Sequence, residues 1–400
     1  MKTLPTMASE IQSPASVAAA GRFQWIDAVK GISILWIAFF HLFKEYSAGR
    51  FPIPWRPLYF ATFLHQCAPS SAIAAFACIG RAIFVAIAMV GFHAVGVFVV
   101  MSGFGLTYSI AKTGNPEHGW RGWYRSRVVR LFPVYWAAHL IYLISPFEAR
   151  YDPIDYRFIL SFLGDRVYPF DIIEYLNPAW WYFGLILELY LIFPLLFRLL
   201  QKVGARWFLL ICAAETIAIR SILLFNVIRL SGMVITAFCG CRLWEFGFGM
   251  VIGLWYRQNQ AWMDKRLFSG SAFTGGVALY GAAFYGYHST FTYIFVDALV
   301  GTGLFVILAQ IAQQSRRIPR VGTAAAYLGA YSYGLYLLHQ PYATYFGDRM
   351  RGVPMPEFVV VAAVLITILA VASSYLERAI NHLTTLVLGG SAPGAVKQAG

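Results

Sequence analysis

The sequence predicts an all-α polytopic membrane protein with about ten transmembrane helices and both termini cytoplasmic. Three observations predict it. Hydrophobic residues make up 59% of the 400 positions and charged residues only 12%, against about 25% charged in soluble chains. Apolar runs near the roughly 20 residues that cross a bilayer recur between short basic clusters. Aromatic residues reach 17%, which suits a chain with two membrane interfaces to anchor. A soluble enzyme of one or two domains is excluded. So is a disordered chain, because no stretch joins low hydrophobicity to high charge.

The runs fall at 25–43, 91–111, 131–147, 180–200, 207–226, 233–256, 268–287, 292–313, 324–346 and 357–377. They divide the chain into a tail (1–24), a membrane domain (25–378) and a second tail (379–400). The first 24 residues lack a continuous apolar stretch, so no cleavable signal peptide is expected. Residues 71–90 are apolar but interrupted by Arg81. They read as an interfacial or re-entrant segment rather than an eleventh span, which would put one terminus on the other side. With the N-terminus inside, inner segments hold 19 of the 31 Lys and Arg residues, as the positive-inside rule asks. The outer segment at 148–179 is acidic and aromatic. No internal repeat is evident, which disfavours inverted-repeat transporters.

The first span, WIDAVKGISILWIAFFHLF, carries Lys30 and His41. Eleven residues differ by only ~20° in azimuth and lie about 16 Å apart along the axis, so both sit on one face. Asp27 stands where it can pair with Lys30. The stripe is either functional or a snorkelling Lys plus a His bonded to a neighbouring helix. In the third span, RSRVVRLFPVYW, Arg127 and Arg130 share a helical face. Such a pair suits a phosphate through bidentate bonds, and it equally suits a positive-inside cluster. The fourth span places Glu188 at mid-membrane with no adjacent cation, as a catalytic carboxylate or a structural acceptor. In the sixth, Arg242 and Glu245 read as an internal ion pair and GFGMVIG (247–253) as close helix packing. The ninth, LGAYSYGLYLLHQPY, presents Tyr331, Ser332, Tyr333, Tyr336 and His339; these line a substrate path or bond helix to helix.

The net charge of +13 invites nucleic acid, but the basic residues sit between apolar runs rather than on one face, so no nucleic-acid partner is expected. Cys67, Cys78, Cys212, Cys239 and Cys241 contain no CxxC, and Cys239 and Cys241 flank Gly240 in an apolar run with no nearby His at zinc spacing. They read as buried small hydrophobes, and no metal is expected. No Walker A loop, GxSxG, HExxH or dinucleotide fingerprint is present.

Taken in order, the motifs resemble the transmembrane acyltransferase 3 family, which O-acylates exported glycans and lipids. IDAVKGISILWIAFFH resembles the family's first helix, with a basic residue eleven before a His. FVVMSGFGL resembles its SGF segment (Ser102, Gly103, Phe104), and RSRVVRLFPVYW its RxxR followed by Pro133 and Tyr135. WYFGLILELYLIFP, LGAYSYGLYLLH and YLER at 375–378 resemble the remaining elements. The fourth helix departs from the pattern. Where many members carry a Glu four residues before Tyr190, this chain has Ile186, and Glu188 lies about 200° round the helix from it.

The resemblance implies a cytoplasmic acyl-CoA donor, acetyl-CoA above all, and a hydroxyl acceptor on an exported glycan or lipid-linked saccharide, in a bacterial inner membrane. The residues fit that division, with His41 as general base or nucleophile and Glu188 and His339 as further catalytic candidates. Arg127, Arg130 and Lys30 fall to the donor, with Ser102 and Tyr333 beside it. Physics alone also allows a secondary transporter or flippase, since ten spans and intramembrane charge suit that equally.

Overall fold

The structure, a computed structural model, describes residues 23–147, 152–168, 170–225 and 232–388. The expected first tail, up to residue 22, and positions 389–400 lie outside the described residues. Every described element is helical, with no strand among the described residues.

The chain opens with α1 (Gln24–Ser47) and a short hairpin of α2 (Tyr59–Cys67) and α3 (Ala72–Met89). A 3-10 turn at Gly91–His93 leads into α4 (Ala94–Ile110). Then come α5 (Gly119–Ile144), α6 (Tyr156–Phe162), α7 (Trp181–Phe225) and α8 (Gly232–Ala237). They are followed by α9 (Leu243–Gln258), α10 (Gln260–Leu267), α11 (Gly270–Gly286), α12 (Thr290–Tyr293) and α13 (Val296–Ser315). The last three are α14 (Pro319–Ala330), α15 (Ser332–Arg349) and α16 (Met355–Val387).

Most of each expected run is helical among the described residues, but the ends and breaks differ from expectation: 145–147, for example, lie beyond the end of α5. The fourth and fifth runs share α7, interrupted at Gly204 with φ 76° and ψ 165°, a conformation only glycine adopts without strain. The sixth run is split between α8 and α9, and the ninth between α14 and α15. The basic run at 121–130 is helical, because α5 starts twelve residues before the expected boundary. Helix α16 continues to Val387, so part of the expected second tail is helix. Six helical stretches are long and apolar enough to cross a membrane, seven if the bent pair α10–α11 counts as one.

Residues 71–90 become α3, which continues through the 3-10 turn toward α4 and packs its buried face (Cys78, Ala82, Val85, Ala88) on the Ala38–Tyr46 half of α1. Cys67 and Cys78 form a disulfide across the α2–α3 hairpin. This corrects the reading of all five cysteines as unreacted small hydrophobes: the chain reversal at 68–71 brings together two thiols whose spacing carries no motif. Cys212, Cys239 and Cys241 are free.

Helix α1 lies at the centre, against α3, α4, α13, α14 and α15. Small residues set how close it comes to α14. A Cβ on Gly31 would lie 2.0 Å from Ala325 O, and one on Gly329 1.7 Å from Asp27 O. The same device joins α4 to α9, where a Cβ on Gly249 would lie 2.0 Å from Val100 O and one on Gly103 2.1 Å from Phe246 O. The glycine-rich stretch at 247–253 is thus a packing seam. Gly249→Leu should force the two backbones apart and remove the monodisperse folded peak in size-exclusion chromatography, whereas Gly105→Ala, in open space, should not.

Exposed apolar side chains line the periphery of α16 (Val360, Val361, Val364, Ile368, Val371) and α7 (Leu191, Leu195, Leu210). That is the surface hydrocarbon covers. Inside, Asp297 bridges two buried guanidiniums: it pairs with Arg220 and meets Arg242 Nη1 at 2.9 Å. Arg242 also lies 3.0 Å from Glu245 Oε1, the expected ion pair. Removing one partner strands buried charge and costs about 3–5 kcal/mol. Asp297→Ala should therefore lower the thermal midpoint in detergent sharply, while Asp348→Ala, in an exposed pair with Arg351, should barely move it.

Candidate active site

Two histidines from opposite ends of the chain meet inside this bundle. His41 projects from α1, and His339 projects from α15 and is fully buried. His339 Nε2 lies 3.1 Å from His41 Nδ1, with ring centroids 5.0 Å apart.

The surrounding acceptors assign the protons. His339 Nδ1 lies 3.1 Å from Leu335 O and 2.8 Å from Tyr336 O. Only an N–H satisfies a carbonyl, so Nδ1 carries the hydrogen, and in neutral imidazole Nε2 is then an acceptor. His41 Nδ1 donates to it and also faces Ile37 O at 3.1 Å. His41 Nε2 is left with its lone pair free. A neutral imidazole held in one tautomer with Nε2 unprotonated is the form that accepts a proton or attacks a carbonyl carbon.

Helix α15 contains Pro341, two residues beyond His339. Proline has no N–H, so the Leu337 carbonyl loses its usual partner. Asn177 Nδ2 and Trp180 Nε1 donate to it instead, at 3.1 and 2.9 Å. One residue earlier, Tyr336 donates its hydroxyl to Ala179 O at 2.6 Å and accepts from Phe183 N–H at 3.0 Å.

The basic residues gather toward the other end. Lys30 pairs with Asp27 at 3.7 Å, as the three-residue spacing implies. Arg127 lies over the Trp123 ring, 5.1 Å from its centroid, and its buried Nε–H has no hydrogen-bond partner. Arg130 is exposed on the same helix and electrostatically close to Arg127 and to Glu377. Glu377 accepts from Gly334 N–H at 3.1 Å at the start of α15.

The other candidates take separate positions. Glu188 Oε2 accepts from Cys239 N–H at 2.9 Å, tying α7 to the turn before α9. Tyr333 donates to Leu131 O at 2.8 Å, binding α15 to α5. Ser102 shares a side-chain hydrogen bond with Tyr182, and the Tyr182 ring stands edge-on to Tyr336 at 5.5 Å. Of the expected residues, the structure places His41 and His339 in direct contact. Sequence reasoning missed Asn177, Trp180, Tyr182 and Pro341. Only Pro341 offered a signal, as a helix-breaking residue two positions past a histidine in an apolar run. Among the described residues no group of His, Cys, Asp and Glu could hold a metal ion.

The acidic segment before α7 uses its charges internally. Arg157 bonds Asp155 and reaches Asp171 at 3.0 Å; Asp165 accepts from the backbone of Val167 and Tyr168; Asp152 accepts from Leu176 N–H.

A bundle of long apolar helices with a buried pair of imidazoles in contact at its centre has the architecture of an integral membrane protein. Residues 23–376 match the acyltransferase 3 family model, described as an acyltransferase domain. The chain belongs to that family and is a membrane acyltransferase. No curated protein and no solved structure matches it.

Proposed function

We propose that the protein moves an acyl group, most simply acetyl, from cytoplasmic acyl-CoA to a hydroxyl of an exported glycan or lipid-linked saccharide, in a bacterial inner membrane. The observation that carries this reading is the His41–His339 contact, from which the surrounding acceptors make His41 Nε2 the unprotonated nitrogen. In one step, His41 Nε2 takes the proton of the acceptor hydroxyl while its oxygen attacks the thioester carbonyl. The carbon–sulfur bond breaks, and the imidazolium returns its proton to the departing CoA thiolate. His339 holds the His41 proton on Nδ1 and shares the developing positive charge. Attack by Nε2 itself, giving an acyl-imidazole that the acceptor then discharges, uses the same lone pair.

Arg127, Arg130 and Lys30 take the CoA phosphates at the opposite end of the bundle. The unpartnered Arg127 N–H is a donor available to such an anion. The rise of about 16 Å from Lys30 to His41 is comparable to an extended pantetheine arm. In this reading about ten spans place both termini and the guanidiniums in the cytoplasm, and the His41 end faces out. The Cys67–Cys78 disulfide, packed beside that end of α1, supports the orientation, since disulfides persist in oxidising compartments. Cys67 and Cys78 should accordingly resist a membrane-impermeant maleimide in intact cells until an impermeant reductant is added; labelling only after lysis would reverse the orientation.

The test of the reading is transfer of radiolabelled acetyl from acetyl-CoA to envelope glycan or lipid-linked saccharide by protein in nanodiscs. Label in the acceptor fraction is expected. CoA binding without any transfer to either class would overturn the acceptor assignment.

A further inference from the structure

We propose that Asn177 and Trp180 are positioning residues: they clamp the carbonyl that Pro341 frees in α15, and the clamp holds His339 in register with His41. Its activity readout rests on the acyl-transfer reading; its structural readout does not.

Among ordinary helical residues Leu337 C=O would accept from position 341, and Pro341 cannot donate. A buried carbonyl left unmade is costly. Two donors from outside the helix, Asn177 Nδ2 and Trp180 Nε1, converge on that single oxygen, and both residues are fully buried. The clamp is itself braced. Asn177 Oδ1 accepts from Ala179 N–H at 2.9 Å, and Asn177 O accepts from Arg166 Nη2 at 2.8 Å. Arg166 is fully buried too and donates to Ser161 Oγ and Tyr175 O at 2.8 and 2.9 Å. The Trp180 ring stacks on His139 at 4.0 Å, and His139 Nε2 meets Ser161 Oγ at 3.0 Å. One rigid polar block thus grips Tyr336 and Leu337.

His339 leaves the helix two residues later, about 200° round from Leu337, toward α1. The clamp holds the backbone at Leu337, and the imidazole pair forms two residues further along the same helix. His339 Nε2 is, beside Ile37 O, one of the two acceptors that keep the His41 proton on Nδ1. A shift of α15 therefore does more than lengthen one hydrogen bond: it lets His41 carry its proton on Nε2 in part of the population, where it cannot act as a base. No group of the clamp itself touches His41 or His339 through a side chain.

Three variants separate positioning from mere packing. Trp180→Phe keeps a ring over His139 and removes the indole N–H; Asn177→Leu removes the second donor. Pro341→Ala restores the intrahelical donor to Leu337 C=O, so it should fold at least as stably while competing with Asn177 and Trp180 for that oxygen. In acetyl-CoA turnover, Trp180→Phe and Pro341→Ala should each lower kcat by roughly 10–100-fold, with KM for acetyl-CoA unchanged. Asn177→Leu in the Trp180→Phe background should lower it further. Nitrogen-15 histidine spectra in nanodiscs should show a single Nδ1–H tautomer for His41 in the wild type and a mixture in the variants. Folded Trp180→Phe and Pro341→Ala proteins with wild-type kcat and one His41 tautomer would overturn the proposal. If the wild type turns over no acyl-CoA, the acyl-transfer reading fails and the spectra alone decide: a mixture in the variants supports the clamp, a single tautomer overturns it.

Discussion

Replacing His41 by Ala should abolish acyl transfer in a protein that still folds. A positioned general base contributes about 10²–10⁴-fold, and His41 supplies the free lone pair around which the histidines are arranged. His339→Ala should cost less, roughly 10–100-fold. It leaves His41 Nδ1 facing Ile37 O but removes the second acceptor that holds its tautomer. The two losses should not add: His41→Ala with His339→Ala should be no slower than His41→Ala alone, because His339 acts through His41. Single-turnover transfer by each variant, with size-exclusion profiles matching the wild type, checks this. A double variant slower than His41→Ala by the full His339 factor would mean that His339 works independently.

Arg127→Ala combined with Arg130→Ala should weaken acetyl-CoA binding by about 10²-fold or more, since each lost charge-assisted hydrogen bond is worth about 1.5–3 kcal/mol. At saturating donor the variant should turn over near the wild-type rate, because both guanidiniums lie away from the imidazoles. Arg127→Lys should recover binding only in part: a point charge replaces a planar fork, and the stack on Trp123 is weakened. Isothermal titration with CoA is the check. Unchanged affinity would remove both residues from the donor site.

The helical membrane class was legible from composition and run length, and the family from ordered motifs. Breaks inside the runs were less legible. Gly204 is one glycine among many, and its left-handed φ is set by how the two halves of α7 pack. At the site, the alignment of Lys30 with His41 singled out α1, yet nothing local said that His41 would meet a residue 298 positions away. Arrangements of that kind are fixed by helix packing at seams such as Gly31 on Ala325 and Gly249 on Val100. Glu188 is another case. This mid-span carboxylate accepts from the backbone N–H of Cys239, a partner that exists only because the chain turns at Cys239–Arg242. The Cys67–Cys78 bond was invisible for a similar reason: an eleven-residue spacing says nothing until α2 and α3 fold back on each other.

The most direct test of the His41–His339 account is thiol release from acetyl-CoA by purified protein in nanodiscs, with wild type and His41→Ala compared in the presence and absence of a glycan acceptor. The account predicts release by the wild type that His41→Ala loses while CoA binding is retained. Release at the wild-type rate by a folded His41→Ala protein would contradict it.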